Sequence, residues 1–439
     1  MARTEPARGM RDFLPEDVRR REYVIGVIKR VYERYGYEPL ETPAAENLET
    51  LMGKYGEEGN QLIFKILKRG EHEASGQADL ALRYDLTVPL ARVIAHHQSK
   101  LPRLFKRYQI QPVWRADRPA RGRFREFYQC DVDFLGSTSP IVEAELCAAV
   151  SDALKELGFA DFKIRLNHRQ LLTALLNLAG IPEPLHGSAL VAVDKLDKIG
   201  VDGVTAEFQE RGIPVAAQVL IDHIRRFQEK PGSMEGAFDE SGEEAWRTVA
   251  RILDLSAGTS AEKHIELDLS LARGLSYYTG AIMEIGVADL AGSLGGGGRY
   301  DNLVGMFLGQ SVPACGFSLG LERILVVMGE RGMFPPSVAT TPADVMLAVM
   351  DPKDLDFALR ASGGLRDAGL RVLVYPEPDK IGKQIKYADS RGIPFVAILG
   401  SDEIANGTIT VKHLAAKTQN TYELTAAGAA ILKELNERG

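Results

Sequence analysis

Cysteine is scarce and scattered in this chain. Cys130, Cys147 and Cys315 are all there are, and each sits among apolar neighbours. They form no Cys-x-x-Cys pair, which excludes a disulfide framework, a zinc ribbon and a dithiol redox centre. They read instead as three small core residues. Long apolar runs are missing too, since no stretch approaches the roughly 20 residues that span a bilayer. The N-terminus, Met1-Ala-Arg-Thr-Glu-Pro6, lacks the apolar core of a signal peptide. A cytoplasmic location and no membrane partner are therefore expected. The histidines have no metal-ligand spacing, and adjacent His96 and His97 read as surface residues near a helix end. No Gly-x-x-x-x-Gly-Lys-Ser/Thr phosphate loop and no Gly-x-Gly-x-x-Gly dinucleotide fingerprint occurs. Nor is there a general excess of positive charge: the net charge is -7, which argues against a wholly basic nucleic-acid binder.

What is present is ordinary globular composition, 45% hydrophobic and 26% charged. A length of 439 residues suggests about three domains. Helical spacing runs over 16–35 (Val18, Tyr23, Val24, Val27, Ile28, Val31), with Pro15 and two acidic residues at its start. Strand character follows at 61–67, 80–85, 104–115 and 124–135, with helices over 86–97 and 140–157. Residues 168–262 read as a mostly helical insertion. Strand and glycine character returns at 264–320, then a helix over 320–330. The Pro- and Thr-rich stretch 331–342 reads as a linker. Beyond it, short apolar runs at 344–350, 370–375 and 394–399 alternate with helices over 353–368 and 378–391. That alternation predicts a small, mainly parallel α/β domain.

Net charge hides a local anomaly. Between Arg103 and Arg125 there are eight Lys or Arg residues and one acidic residue, Asp117. Read with period two, Arg107, Gln109, Gln111 and Arg115 share one face of the first strand. Arg123, Arg125, Phe127, Gln129, Asp131 and Asp133 share one face of the next. Ala116 to Gly122, with its Pro and Gly, suits the loop of an antiparallel hairpin. Arginine forks near the loop suit phosphate, and Gln and Asp further along suit an amine and other polar groups. A solvated sheet face remains the alternative.

Other segments can join such a site. In Arg83-Tyr-Asp85-Leu-Thr87, Asp85 and Thr87 suit either an ammonium group or a helix cap. Gly295 to Gly298 permits close backbone approach to a ligand or forms a tight turn, and Tyr300 follows. Gly316-Phe-Ser-Leu-Gly-Leu-Glu-Arg323 runs from a strand into a helix, with Arg323 one turn in, reaching a ligand or lying on the surface. Its Gly-x-Ser-x-Gly is not a nucleophile elbow. Only His413 follows Ser318, in a separate domain, and no His-Gly-Gly-Gly motif accompanies it. The densest cluster is Arg273-Gly-Leu-Ser-Tyr-Tyr-Thr-Gly280, an obligate cation beside Tyr277 and Tyr278.

Taken together these residues resemble the histidyl-tRNA synthetase family of class II aminoacyl-tRNA synthetases. Arg8 to Pro15 resembles its N-terminal signature, and Arg115 to Asp133 resembles motif 2. Gly316 to Arg323 resembles motif 3, and Arg273 to Gly280 the histidine-specific signature. The resemblance spans nearly the whole chain. It implies an α+β fold, a class II antiparallel sheet flanked by helices over 1–330 with the insertion inside it. An anticodon-binding α/β domain would occupy 343–439. It implies histidine contacts from Asp85, Thr87, Gln129, Asp133, Arg273, Tyr277 and Tyr278, with Tyr300 lining the pocket. Arg115, Arg123 and Arg323 would bind ATP, and Arg115 and Arg273 would be the catalytic cations.

The implied reaction joins histidine's carboxylate to the α-phosphorus of ATP, then passes the histidyl group to tRNA(His). Anions are brought together, so fixed cations and orientation are the main need. Mg²⁺ on the phosphates and a homodimer are further implications. Ser276 departs from the family pattern, which has Asp there. Lys380, Lys383 and Lys386 have helical spacing suited to tRNA phosphates, or form a solvated face. A non-catalytic relative, the regulatory subunit of ATP phosphoribosyltransferase, shares the core but lacks the C-terminal domain.

Overall fold

In a computed structural model, residues 4–70, 75–272, 277–290, 292–336, 338 and 341–436 are described. They fall into two compact units: Met1–Asp12 with Arg21–Met333, and Phe13–Arg20 with Phe334–Gly439.

The first unit is built on an eight-stranded sheet. Its strands, with three more of a small sheet beside them, are β1 (Glu38–Pro39), β2 (Ala45–Asn47), β3 (Lys65–Leu67), β4 (Ala78–Leu82), β5 (Phe105–Trp114), β6 (Glu126–Leu135), β7 (Lys163–His168), β8 (Ile265–Leu267), β9 (Ala281–Gly286), β10 (Gly295–Arg299) and β11 (Ala314–Gly320). The large sheet runs β1-β5-β6-β11-β10-β9-β7-β8, and β2-β4-β3 forms the small one. Only its two outer pairings, β1 with β5 and β7 with β8, are parallel. The helix Pro15–Arg34 buries Val24, Val27, Ile28 and Val31, the i, i+3, i+4, i+7 stripe that its spacing predicts. The helix Ile141–Glu156 buries Leu146, Cys147 and Val150 among others. Cys130 and Cys315 are buried with it, as expected of small core residues.

Helices over 169–256 form the insertion, entered directly from β7. The segment 61–67 is a correction: a helix, Gly56–Gln61, occupies its start, and only Lys65–Leu67 pairs as strand. Leu62, Ile63 and Phe64 are too short an apolar run to separate the two states.

The second unit holds β12 (Val345–Val349), β13 (Val372–Val374), β14 (Phe395–Leu399), β15 (Thr408–His413) and β16 (Thr418–Glu423). Their order is β13-β12-β14-β15-β16. The first two pairings are parallel and the last two antiparallel. The sheet is therefore mixed rather than mainly parallel. Strand β12 is buried on both faces: Val345, Leu347 and Val349 enter one core with Leu365 and Ile431, while Met346 and Ala348 enter another with Ala388 and Ile393.

Candidate active site

Register fixes which side chains meet. Arg107 stands opposite Asp133, Gln109 opposite Asp131, and Gln111 opposite Gln129. On the other side of β6, Gly316 faces Asp133 and Ser318 faces Asp131. Gly296 faces Ser318 and Glu284 in turn. Directly paired residues lie on one face of a sheet, so a polar row crosses five strands, from Gln109 through Asp131, Ser318 and Gly296 to Glu284. The period-two reading of the hairpin is correct in its faces.

That face floors a cavity of about 470 Å³. Its wall includes Thr87, Arg115, Arg123, Gln129, Asp133, Tyr277, Tyr278, Tyr300 and Arg323, all expected site residues. Asp131, Glu284, Ser318 and Glu322 join them, and these the sequence did not single out for a role at such a site. Gly295, Gly296 and Gly297 also line it. The four glycines are therefore a mid-sheet strand, β10, and not a tight turn.

Asp85 is placed differently. It is fully buried and absent from the cavity wall. Its carboxylate accepts from the hydroxyls of Tyr55 (2.9 Å) and Tyr277 (3.1 Å) and from the Val88 amide (3.1 Å). Asp85 thus engages the first turn of the helix Thr87–His97 through the Val88 amide, with Leu86 at the N-cap and Thr87 the first helical residue. Burial pushes the Asp85 carboxyl above its ordinary value, against the pull of the Val88 amide and Arg115. Arg273 and Ser276 lie outside the described residues.

The tyrosines form an edge-to-face corner. Tyr277 meets Tyr278 edge-on at 5.3 Å between ring centres, and Tyr300 at 6.0 Å. The Tyr300 hydroxyl donates to Asp133 Oδ1. Behind Asp133, Arg107 is wholly buried, with Nη2 at 2.8 Å from Asp133 Oδ2 and 3.8 Å from Asp131 Oδ2. Its Nη1 donates to Gln109 Oε1 (3.2 Å). Burial raises both carboxyls of the Asp131–Asp133 pair, and Arg107 opposes it. Gly316 is what lets Asp133 lie flat: a Cβ there would stand 1.9 Å from Asp133 Oδ1.

The arginines are held by their rims. Arg115 donates Nε to the Tyr84 carbonyl (3.0 Å). Its guanidinium lies 4.3 Å over the Tyr84 ring and 5.2 Å from that of Phe127. Such stacking fixes the plane of the fork and leaves its terminal N–H groups for an anion. Arg323 donates to the Ser293 carbonyl. Arg123 is half exposed and paired with Asp117 at 2.7 Å. Glu322, buried beside them, accepts from the Tyr128 amide at 3.0 Å.

A largely antiparallel sheet, with arginines on its central hairpin and a strand that enters a helix at a further arginine, defines the catalytic fold of a class II aminoacyl-tRNA synthetase. The comparisons narrow the class. The family described as histidyl-tRNA synthetase matches residues 9–324, and the anticodon binding domain matches 344–434. A histidine–tRNA ligase of Gloeobacter violaceus is 42% identical, covering 97% of this chain and 98% of that protein. The crystal structure of the histidyl-tRNA synthetase from Nostoc sp. PCC 7120 superposes with a TM-score of 0.82 at 32% identity, covering 99% of this chain and 100% of that one. An ATP phosphoribosyltransferase regulatory subunit/histidyl-tRNA synthetase from Bacillus halodurans shares the fold at 22% identity, with a TM-score of 0.71 over 87% of this chain and 96% of that one. The chain belongs to the histidyl-tRNA synthetase family.

Proposed function

We propose that this chain is a histidine–tRNA ligase that makes histidyl-adenylate and pyrophosphate from L-histidine and ATP, then charges tRNA(His). One juxtaposition carries this reading. A carboxylate and tyrosine pocket (Asp133, Tyr277, Tyr300) lies on the same strand floor as the stacked Arg115. The pocket suits a ligand rich in N–H donors, and the arginine end suits phosphate.

In this mechanism the carboxylate of histidine attacks the α-phosphorus of ATP. The new bond is carboxyl oxygen to phosphorus, and the bond to the bridging oxygen breaks to release pyrophosphate. The nucleophile is already ionised, so no protein base is required. Arg115 and Arg323 hold the nucleotide, with Arg123 at the rim once it leaves Asp117. Arg273 we assign to the α-phosphate and the histidine carboxylate. Asp85, through Tyr277 and the start of the helix Thr87–His97, steadies the ammonium end. Thr87, Gln129, Tyr278 and Tyr300 complete the histidine pocket. A terminal ribose hydroxyl of the tRNA then takes the histidyl group, releasing AMP.

Mg²⁺ accompanies the nucleotide in this reading. Among the described residues no group of three or more His, Cys, Asp or Glu side chains is placed to hold a metal ion. Two of the cavity carboxylates are otherwise engaged, Asp117 with Arg123 and Glu322 with the Tyr128 amide. The described residues thus form no metal cage, and the phosphates would be the ion's main ligands. A homodimer in the cytoplasm is the family's expected state, and no helix of the described residues is long and apolar enough to cross a membrane.

The regulatory-subunit alternative is disfavoured by the anticodon-binding match at 344–434. The test is exchange of labelled pyrophosphate into ATP. Exchange that requires histidine supports the ligase. A folded sample that binds histidine but exchanges nothing would overturn it.

A further inference from the structure

Two buried acceptor atoms on residues that line the cavity, Gln129 Oε1 and Asp131 Oδ1, have no hydrogen-bond donor among the described residues. Leaving such atoms unpaired costs about 1–3 kcal/mol each, more for charged groups. Gln129 is a residue that family resemblance places against histidine, and Asp131 is not.

Asp131 is 2% exposed. Arg107 stands 3.8 Å from its Oδ2, close enough for attraction but beyond a hydrogen bond. The Ser318 hydroxyl, which accepts from Gln129 Nε2 at 3.0 Å, also supports the carboxylate. Oδ2 is thus the oxygen nearer Arg107, and Oδ1, on a residue of the cavity wall, has no hydrogen bond among the described residues. Charge points the same way. Among the described residues Arg107 is the one cation set against both Asp131 and Asp133, so two buried carboxylates share one positive charge, and buried charge is tolerated when paired. A ligand that brings N–H donors supplies what is lacking.

Position on the strand says which part of the ligand. The arginines cluster at the loop end of β6, and Gln129, Asp131 and Asp133 step away from it by roughly 6.8 Å each. Histidine's carboxylate must lie at the phosphate end, so its ring is the part that reaches the far carboxylates.

We propose that Asp131 is a specificity-determining residue: its free carboxylate oxygen accepts a hydrogen bond from an imidazole N–H of the substrate, with Arg107 behind it as the positioning residue. The proposal rests on the ligase reading above and extends it to a residue outside the expected histidine contacts.

Asp131→Asn keeps the shape and removes the charge. The experiment measures KM for histidine and for ATP by pyrophosphate exchange, and inhibition by 2-thiazolylalanine, whose ring carries no N–H. KM for histidine should rise about ten-fold or more, while KM for ATP stays within about two-fold. The preference for histidine over the thiazole should shrink by the same factor as KM grows. A preference that is unchanged, or a parallel rise in KM for ATP, overturns the assignment. Should Asp131→Asn fail to fold, Asp131→Ser is measured in the same way. Absence of histidine-dependent exchange by the unaltered chain would instead sink the ligase reading, so the two failures are distinct.

Discussion

Glu322 shows how far a single residue can be pushed by its place in this fold. It sits one residue before Arg323, near the nucleotide end of the cavity, and its side chain is 3% exposed. Burial lifts its carboxyl to about 7, and the Tyr128 amide and the more distant Arg11 only partly counter this. A carboxyl whose folded value is raised contributes stability that is complete below its ordinary value near 4.5 and is lost as pH rises towards 7. Glu322→Gln keeps an acceptor for the Tyr128 amide and removes that dependence. Relative to the variant, the unaltered protein should lose about 3 kcal/mol between pH 4.5 and pH 8. Melting temperatures of the two proteins across that range would show it. A gap that does not change with pH would mean that folding leaves the Glu322 carboxyl at its ordinary value. At this scale the sequence was legible in direction but not in depth. Alternation put Arg107 and Asp131 on the polar face of their strands, as found. What alternation cannot give is what covers a face. Arg107 is wholly buried because the Leu86 end of a neighbouring helix and the facing carboxylates close over it. The engagement of a helix start by Asp85 was legible as one of two alternatives, since Asp suits a helix start as readily as it suits an ammonium.

Strand β10 is the element on which the site depends. It lies between β9 and β11 in mid-sheet, and its glycines differ in what they allow. A Cβ at Gly297 would stand 2.2 Å from the Gly316 carbonyl oxygen and 2.8 Å from Phe317 Cα. Both are backbone atoms of a paired strand and cannot turn away. At Gly296 the nearest atom is the Met283 carbonyl oxygen at 3.2 Å, and the pairing turns that position towards the cavity with Ser318 and Glu284. Gly297→Ala should therefore cost about 2–3 kcal/mol of stability, and Gly296→Ala about 1 kcal/mol or less. The latter should fold and lose activity through crowding of the cavity. Thermal melts and pyrophosphate exchange on both variants separate the two effects. Equal stability of the two would show that the sheet relaxes around either methyl. The sequence left β10 open between a turn and a close approach because four glycines carry no side-chain alternation to read. It gave β5 and β6 closely, because their polar and apolar positions alternate over ten residues each. The β15–β16 hairpin explains the mixed C-terminal sheet. Thr418–Glu423 is polar and mostly exposed, so nothing in its pattern distinguishes an edge strand from a loop.

The whole molecule divides into units with separate cores. The residues of the cavity all belong to the first unit. The second has its own two cores, one on each face of β12. Because neither core borrows from the cavity, we expect adenylate formation and tRNA charging to be separable. Helix Ile381–Ser390 presents Lys383, which is mostly exposed and paired with Asp379 one turn away. An exposed pair of this kind is worth little and is readily exchanged for a phosphate. Deletion of residues 341–439 removes these cations together with the anticodon-binding match. Charging of tRNA(His) should fall by a factor of about 100 or more, the loss of roughly 3 kcal/mol of binding. Histidine-dependent pyrophosphate exchange should stay within about ten-fold, because every candidate catalytic side chain remains. One structural cost is foreseeable. Phe13–Arg20, which holds the first turn of the helix Pro15–Arg34, groups with the second unit, so the deletion uncovers that turn. The helix's buried stripe begins at Val24, beyond the uncovered part, and should keep it in place. Charging and exchange measured on one preparation decide the matter: loss of both to the same degree would show that the C-terminal unit supports the chemistry itself, whereas loss of charging alone assigns it to the tRNA.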